Sequence, residues 1–163
     1  MNQSLDFLKI FAILAKHNVE YIITGGISAV LQGAPITTFD LDVLHQRTPE
    51  NVRNLREALK ELEASYRFPK TPKLLPKTKG LEGKGHHLLL SKYGPIDVLG
   101  SIGEGQVYED IQHDVVEFEL EELRIKVQSL QSLIETKRAV GRQKDFVVLP
   151  ILEQTLKEQN SQE

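Results

Sequence analysis

Two hairpin patterns in the second half of the chain constrain its fold most strongly. Short β-rich runs flank Lys92-Tyr93-Gly94, and a second pair of runs flanks Glu121-Glu122. The strands that they predict span 86–91, 95–99, 115–120 and 123–127. Short runs joined by two or three turn residues are typical of antiparallel hairpins. A doubly wound parallel sheet needs a long crossover after each strand, so the hairpins favour a mixed α/β (α+β) sheet with helices packed against it.

The first half of the chain alternates helices and strands. Apolar residues recur at helical spacing over 4–17 and predict a helix. The β-rich residues 19–24 end at Gly25-Gly26 and predict a strand. Further predicted elements are a short helix over 27–32, a strand over 38–45, a helix from Thr48-Pro49, a mobile loop or lid over 69–85, a helix from Ser129 and a last helix within 145–158 that Asp145 caps.

The composition favours one domain and excludes several kinds of site. The chain has 163 residues, 40% of them hydrophobic, and no Cys. A domain is expected over 1–157 and a disordered tail over 158–163. Without Cys there is no disulfide, zinc-thiolate site, iron–sulfur cluster or Cys nucleophile. No apolar run approaches the roughly 18–20 residues that span a bilayer, and we expect a soluble, cytoplasmic protein without a membrane partner.

Charge is distributed in blocks that the net charge of −3 conceals. Residues 67–87 are basic, 104–122 are acidic, and 124–144 are basic again. Such blocks either shape a local field or are the solvated faces of ordinary elements. The acidic total does not favour tight non-specific binding of nucleic acid.

Asp40-Leu41-Asp42 lies in an alternating run, which is typical of a strand with one wet face. Two carboxylates on one face of a strand lie about 6–7 Å apart. At an effective dielectric of about 20 they repel each other by roughly 2–3 kcal/mol. A divalent cation removes this repulsion, and carboxylate oxygens suit Mg²⁺. The pattern therefore indicates a cation site.

Gly25-Gly26 supplies a second half-site, because backbone N–H groups between a strand and a helix can face an anion. A phosphate cradle beside a metal-binding carboxylate pair is the minimum equipment for nucleotidyl transfer. Each pattern alone has an ordinary explanation: a turn for the glycines and an edge strand for the aspartates. Their combination in this order favours the chemical interpretation.

This stretch resembles the signature of the polymerase-β-like nucleotidyltransferase superfamily. That signature is an apolar strand, Gly followed by Gly or Ser, a spacer, and Asp-x-Asp between apolar residues. Here residues 27–39 form the spacer between Gly25-Gly26 and Asp40. The resemblance is strongest to small bacterial proteins related to the toxins of nucleotidyltransferase toxin–antitoxin systems, which often have Thr where this chain has Thr38. It implies a nucleotidyltransferase-like mixed sheet.

The resemblance also implies a third carboxylate from a later strand, and Asp97 in Ile96-Asp97-Val98 matches it. The alternative is a surface Asp in a hairpin. His86-His87 also matches the small-protein subgroup. At most one of these two histidines can face the site, because neighbouring residues on a strand point in opposite directions.

A basic element at 137–145 resembles the Lys-x-x-x-Gly-Arg-x-Lys-Asp element of the same proteins. Lys144 is its candidate phosphate contact, although cations here can also simply oppose the helix dipole. The catalytic and metal-binding residues implied are Asp40, Asp42 and Asp97, with Mg²⁺ or Mn²⁺ as cofactor. The nucleotide-binding residues implied are Gly25, Gly26, Ser28, Thr38 and Lys144.

The resulting hypothesis is a metal-dependent nucleotidyltransferase that moves a nucleoside monophosphate from an NTP to an RNA (tRNA) or protein hydroxyl. A cognate antitoxin is a candidate partner. One alternative is an inactive nucleotide-binding or partner-binding module, which the small size and Ile36 (Arg in many relatives) favour. Another is an interaction protein whose acidic hairpin, 114–122, docks a partner.

Overall fold

A seven-stranded mixed sheet organises residues 4–162, the part of the chain that the structure, a computed structural model, describes. The strands are β1 Tyr21–Thr24, β2 Leu41–His45, β3 Ser65–Tyr66, β4 His86–Ser91, β5 Gly94–Leu99, β6 Val115–Leu120 and β7 Leu123–Gln128. The helices are α1 Phe7–Lys16, α2 Gly25–Leu31, α3 Pro49–Glu61, α4 Thr78–Glu82, α5 Tyr108–Ile111, α6 Leu130–Val140 and α7 Gln143–Ser161.

The strand order is β3-β4-β5-β2-β1-β7-β6. The pairs β2–β5 and β1–β7 are parallel, and the other neighbours are antiparallel. Both predicted hairpins form, as β4–β5 and β6–β7. The predicted mixed α/β sheet is confirmed.

Local sequence explains why several elements begin where they do. Thr48 caps α3, because its hydroxyl accepts from the Asn51 amide at 3.2 Å, and Pro49 opens the helix. Ser129 caps α6 in the same way. Glu121 and Glu122 have φ of 47° and 70°, the left-handed conformation that a tight two-residue hairpin turn requires.

Two packed layers leave one sheet face open for a site. Apolar residues of α1 and α3 bury one face, against Ile23, Val43 and Val98 among others. The alternate residues Ile22 and Leu44 point to the other face, where they pack with α5. A further cluster joins α2, α6 and α7. Because side chains alternate along a strand, β2 residue Asp42 shares the face of Leu44, away from α1 and α3.

Several predicted boundaries differ from the structure. The glycines start α2 rather than preceding it, and Asp40 lies just before β2. The predicted loop over 69–85 contains α4, whose Leu81 is fully buried. These segments are ordered by contacts with distant parts of the chain, which local propensity does not encode.

The last helix also differs. It begins at Gln143, so Asp145 lies in its first turn rather than capping it, and it includes Pro150. It continues to Ser161, through most of the segment for which a disordered tail was predicted; Glu163 lies outside the described residues. The short elements β3 and α5 have no counterpart in the sequence prediction. Across residues 4–162, none of the helices combines the length and apolar character needed to span a membrane.

Candidate active site

Asp42 and Asp97 face each other at the centre of the sheet. They are direct partners in the parallel pairing of β2 and β5, so their side chains leave the same face. Asp40 lies one residue before β2, and 42% of its side chain is exposed against 14% for Asp97. The Oδ1 atom of Asp42 is buried and accepts no hydrogen bond. The three carboxyl groups converge, and one of their buried oxygens lacks a partner.

Electrostatics at this pair oppose full ionisation. Burial raises the pKa of Asp42 to about 8, and the charges of Asp97 and Asp40 add to the effect. Burial also raises the pKa of Asp97, although Arg67 and a hydrogen bond with Asp42 partly offset it. Two such carboxyls retain a shared proton near neutral pH. A cation would displace that proton, so the pair has the electrostatic character of a cation site.

Gly25 and Gly26 pack closely against the side chains of Asp42 and Thr38. Gly25 has φ of +68°, and a Cβ there would overlap the Asp42 carboxylate. A Cβ on Gly26 would lie 2.5 Å from the Thr38 hydroxyl oxygen. Glycine is required here by close approach and, at Gly25, also by the left-handed backbone. The two halves of the sequence motif therefore touch in space.

Ser28 and Thr38 support this turn rather than lining the space in front of it. The Ser28 side chain is buried, and its hydroxyl donates to the Gly25 carbonyl at 2.5 Å. The Thr38 hydroxyl lies against Gly26 and donates to the Asp40 carbonyl at 3.4 Å. The geometry gives both residues a role in shaping the turn and assigns neither a direct contact with a nucleotide.

Asp145 anchors two cations at the same site. It is 1% exposed. Its Oδ1 lies 3.2 Å from Lys137 Nζ, and its Oδ2 lies 3.0 Å from Arg142 Nε. Burial raises the pKa of Asp145, but the hydrogen bond from Arg142 and the charge of Lys137 outweigh burial and lower it overall. The charge of Lys137 also lowers the pKa of Asp42, so Lys137 acts on both acidic groups.

The guanidinium of Arg67 reaches Asp40 and Asp97 from the edge of the sheet. It follows β3, and its guanidinium forms an ion pair with Asp97. Its Nη1 lies 3.8 Å from Asp40 Oδ2. Among residues 4–162, no group of three or more His, Cys, Asp or Glu side chains is arranged to hold a metal ion. Two of the three aspartates are instead paired with the guanidinium.

The two adjacent histidines point in opposite directions, as strand geometry predicts. His86 faces the site, and its Nε2 donates to the Ser101 carbonyl at 2.8 Å. His87 is buried on the other face, where its Nδ1 accepts from the Tyr66 hydroxyl at 2.6 Å and its Nε2 donates to the Gly80 carbonyl at 3.2 Å. Burial lowers the pKa of His87, so this residue is a neutral structural link to α4.

These groups open onto one cavity of about 760 Å³, within the range of roughly 300–1,000 Å³ for small-molecule sites. The predicted residues that line it are Gly25, Gly26, Asp40, Asp42, Asp97 and Lys144. Sequence reasoning missed Arg67, Lys137 and Arg142 as individual site residues. Lys137 and Arg142 lie in the basic element that was singled out for Lys144. No local motif marks Arg67, since the pairing of β3 with β4 brings it to the site.

The chain belongs to the nucleotidyltransferase superfamily, and its mixed sheet with paired carboxylates against a glycine turn agrees with that class. More closely, the chain belongs to the aminoglycoside-2''-adenylyltransferase family, whose model matches residues 6–146. No curated protein matches the sequence. The narrower relation to toxin–antitoxin systems stays a prediction.

Three solved structures share the fold. A candidate nucleotidyltransferase of Thermotoga maritima is 20% identical, with a TM-score of 0.59 over 96% of this chain and 91% of its own. The antibiotic-resistance factor ANT(2'')-Ia is 14% identical, with a TM-score of 0.57 over 92% and 82%. The lincomycin-bound lincosamide antibiotic adenylyltransferase LnuA is 12% identical, with a TM-score of 0.62 over 93% and 98%.

Proposed function

We propose that this protein is a metal-dependent nucleotidyltransferase that transfers a nucleoside monophosphate from an NTP to a hydroxyl of a small molecule. The observation that carries the proposal is the Asp42–Asp97 pair, with its unpartnered buried oxygen, lying against the Gly25 turn. An unsatisfied buried carboxylate costs stability, and cation binding offsets that cost. The family and the fold support the same class of reaction.

In this proposal Asp40, Asp42 and Asp97 would hold Mg²⁺ or Mn²⁺ once Arg67 no longer pairs with Asp40 and Asp97. The ion would neutralise triphosphate charge and acidify the acceptor hydroxyl. Asp97 takes the proton of that hydroxyl. The acceptor oxygen bonds to the α-phosphorus while the bond from that phosphorus to the bridging oxygen breaks, so pyrophosphate leaves in line. The backbone of Gly25-Gly26 orients the phosphates.

Cations on the far side of the cavity complete the phosphate contacts. Lys137 and Arg142 are held by Asp145, and Lys144 also lines the cavity. Ammonium and guanidinium groups donate strong, charge-assisted hydrogen bonds to phosphate. Of these three cations, we expect Lys137 to contribute most to phosphate binding, because it is the least exposed and its charge acts on Asp42.

The acceptor in this proposal is an antibiotic-type compound, rather than the RNA or protein hydroxyl predicted from the sequence. An aminoglycoside family model, a resistance factor and a lincosamide-modifying neighbour support a small molecule, and their names favour ATP as donor. The cavity carries four cationic side chains and a fourth acid, Asp145, that two of them already neutralise. The other three acids, Asp40, Asp42 and Asp97, bring the acidic side chains to four as well, so the charge of the lining is compatible with neutral and with cationic acceptors.

The test is transfer of label from α-phosphate-labelled ATP, GTP, CTP and UTP, with Mg²⁺ or Mn²⁺, to an aminoglycoside, a lincosamide, total RNA and cell protein. We expect labelled small molecule and an equal amount of pyrophosphate. Label on RNA or protein alone would overturn the acceptor assignment. Nucleotide binding without transfer to any acceptor would support the inactive module instead.

Matched variants show whether the proposed site performs the reaction. Asp42→Asn should abolish transfer while the protein stays folded. Asp114→Asn changes an exposed acid near the β6–β7 hairpin and should leave the rate unchanged. Transfer retained in both variants would point to a contaminating activity, and equal loss in both would point to a general defect rather than to the carboxylate pair.

A further inference from the structure

The Arg67 guanidinium is held at the site mainly by the residues proposed to bind the metal. It pairs with Asp97 and lies 3.8 Å from Asp40, and 22% of the side chain is exposed. Two further hydrogen bonds hold Arg67 to β4: its backbone amide donates to the Leu88 carbonyl at 3.1 Å, and its Nε donates to the Leu89 carbonyl at 3.1 Å. Arg67 is therefore anchored to β4 through its backbone and Nε, while its terminal nitrogens Nη1 and Nη2 can exchange their carboxylate partners.

The compensation that Arg67 supplies is incomplete. One positive charge faces three carboxyl groups, and Oδ1 of Asp42 stays buried without a partner. A purely structural ion pair would leave no such atom beside it, because buried polar atoms are normally satisfied. The guanidinium also lines the same cavity as Gly25, Gly26 and Lys137, so a triphosphate in that cavity would lie within reach of it.

We propose that Arg67 is a resident counter-ion of the site, which pairs with Asp40 and Asp97 until a triphosphate draws the guanidinium away or a divalent cation displaces it. The cation then takes the carboxylates, and the guanidinium turns to the phosphate oxygens that it can bind in a bidentate manner. This inference rests on the proposed function and adds a phosphate-binding residue to it.

The exchange couples the two ligands. A cation alone must displace Arg67 with nothing to receive it, so it binds weakly. A triphosphate gives the guanidinium a new partner and thereby favours the cation. Coupling of this kind is reciprocal and commonly amounts to roughly 5–150-fold in affinity.

The experiment measures binding rather than turnover, on the full chain. Mn²⁺ alone is titrated and followed by electron paramagnetic resonance, and ATP alone is titrated in excess EDTA. We expect Arg67→Gln to bind Mn²⁺ roughly tenfold more tightly than wild type and metal-free ATP roughly tenfold more weakly. Arg67→Lys keeps the charge but not the forked geometry, and both of its affinities should lie between those of wild type and Arg67→Gln. These opposite shifts would not arise from a merely structural defect.

Control variants separate the outcomes. Arg53→Gln, an exposed change on α3, should match wild type in both titrations. If wild type transfers nucleotide but Arg67→Gln binds Mn²⁺ no more tightly, the counter-ion proposal is wrong and the proposed function stands. If neither wild type nor Arg67→Gln binds Mn²⁺ and no transfer occurs, the proposed function itself fails. If Arg67→Gln does not fold, Arg67→Lys alone decides, and an unchanged Mn²⁺ affinity would overturn the proposal.

Discussion

Two aspartates with buried carboxyl oxygens lie on opposite sides of one cavity, and their pKa values shift in opposite directions. Asp42 has another acid opposite it, Asp97, and its pKa is raised. Asp145 has Lys137 at 3.2 Å and Arg142 at 3.0 Å, and its pKa is lowered. Burial acts against ionisation at both places, so the neighbours of each acid decide the sign.

The difference assigns different tasks to the two acids. Asp145 is satisfied by the chain itself, so its contribution is to hold two cations in position at the cavity. Asp42 is not satisfied by the chain, so the folded protein carries an electrostatic cost there that an added cation relieves. Sites that combine such a cost with an adjacent cavity are candidates for function rather than for stability.

The sharpest test of this contrast, and the largest expected effect, is Asp42→Asn. We expect a loss of nucleotidyl transfer of at least about 10³-fold, since a metal ligand contributes several kcal/mol to the transition state. The same change should increase the free energy of unfolding at pH 8 without metal by about 1–2 kcal/mol, because the buried charge is removed. Labelled-NTP transfer and urea unfolding measure the two quantities.

A gain of stability together with a loss of activity distinguishes a functional acid from a structural one. Asp114→Asn serves as the exposed control and should change neither quantity. A destabilised Asp42→Asn protein would contradict the idea that the site carries an uncompensated charge.

The corresponding change on the other side, Asp145→Asn, should have the opposite effect on stability. It leaves Lys137 and Arg142 without their common partner. Removing one member of a fully buried pair costs about 3–5 kcal/mol. Arg142 is 54% exposed, so we expect about 2–3 kcal/mol here. Urea unfolding at pH 7 measures it, and an unfolding free energy equal to wild type would remove Asp145 from its anchoring role.

The sequence was sufficient to predict the three aspartates that line the cavity, but among the cations it identified only Lys144 and the basic element around it. Asp40, Asp42 and the glycine turn lie within one short stretch, where strand periodicity and turn chemistry are readable. Asp97 follows from a strand pattern together with the family resemblance. Both hairpins were predictable for the same reason, since each is a local pattern of alternating residues and turn.

Arg67 and Lys137 depend on contacts between distant elements. Arg67 reaches the site because β3 adds to the sheet edge beside β4, and a two-residue strand leaves no periodic signal. Lys137 is selected over Lys144 by its position on α6 beside the first turn of α7, where Asp145 is buried. The sequence shows two lysines in one basic element, and only tertiary packing distinguishes their exposure.

A smaller effect is expected from pH and cation acting together on thermal stability. The folded pKa of Asp42, about 8, lies well above the usual value of 3.8 for an aspartate carboxyl. The stability that this group contributes is therefore complete below about pH 4 and is lost as pH rises towards 8. Mg²⁺ binds the ionised form, so it should stabilise more at pH 8 than at pH 6, by about 1.4 kcal/mol or roughly 3–6 °C at tenfold over Kd.

Scanning calorimetry in EDTA and in Mg²⁺, at both pH values, checks the expectation. Subtracting the same data for Asp42→Asn isolates this group from the other acids, and the difference should vanish in that variant. A Mg²⁺ effect that is equal at pH 6 and pH 8 would show that Asp42 does not take part in cation binding.

The smallest expected effect separates two lysines of the cationic side, Lys137 and Lys144. Lys137 Nζ is 3.2 Å from Asp145, and its side chain is 18% exposed, whereas Lys144 is an exposed residue. An immobilised cation loses less entropy on meeting phosphate than a solvated one. We therefore expect Lys137→Met to raise KM for the NTP about tenfold and Lys144→Met only about two- to threefold. Steady-state kinetics at a fixed, saturating acceptor concentration measure both, with kcat as the internal reference. The reverse order would show that the flexible Lys144, and not Lys137, contacts the triphosphate. The role proposed for Asp145, to hold a phosphate-binding cation in position, would then be wrong for Lys137.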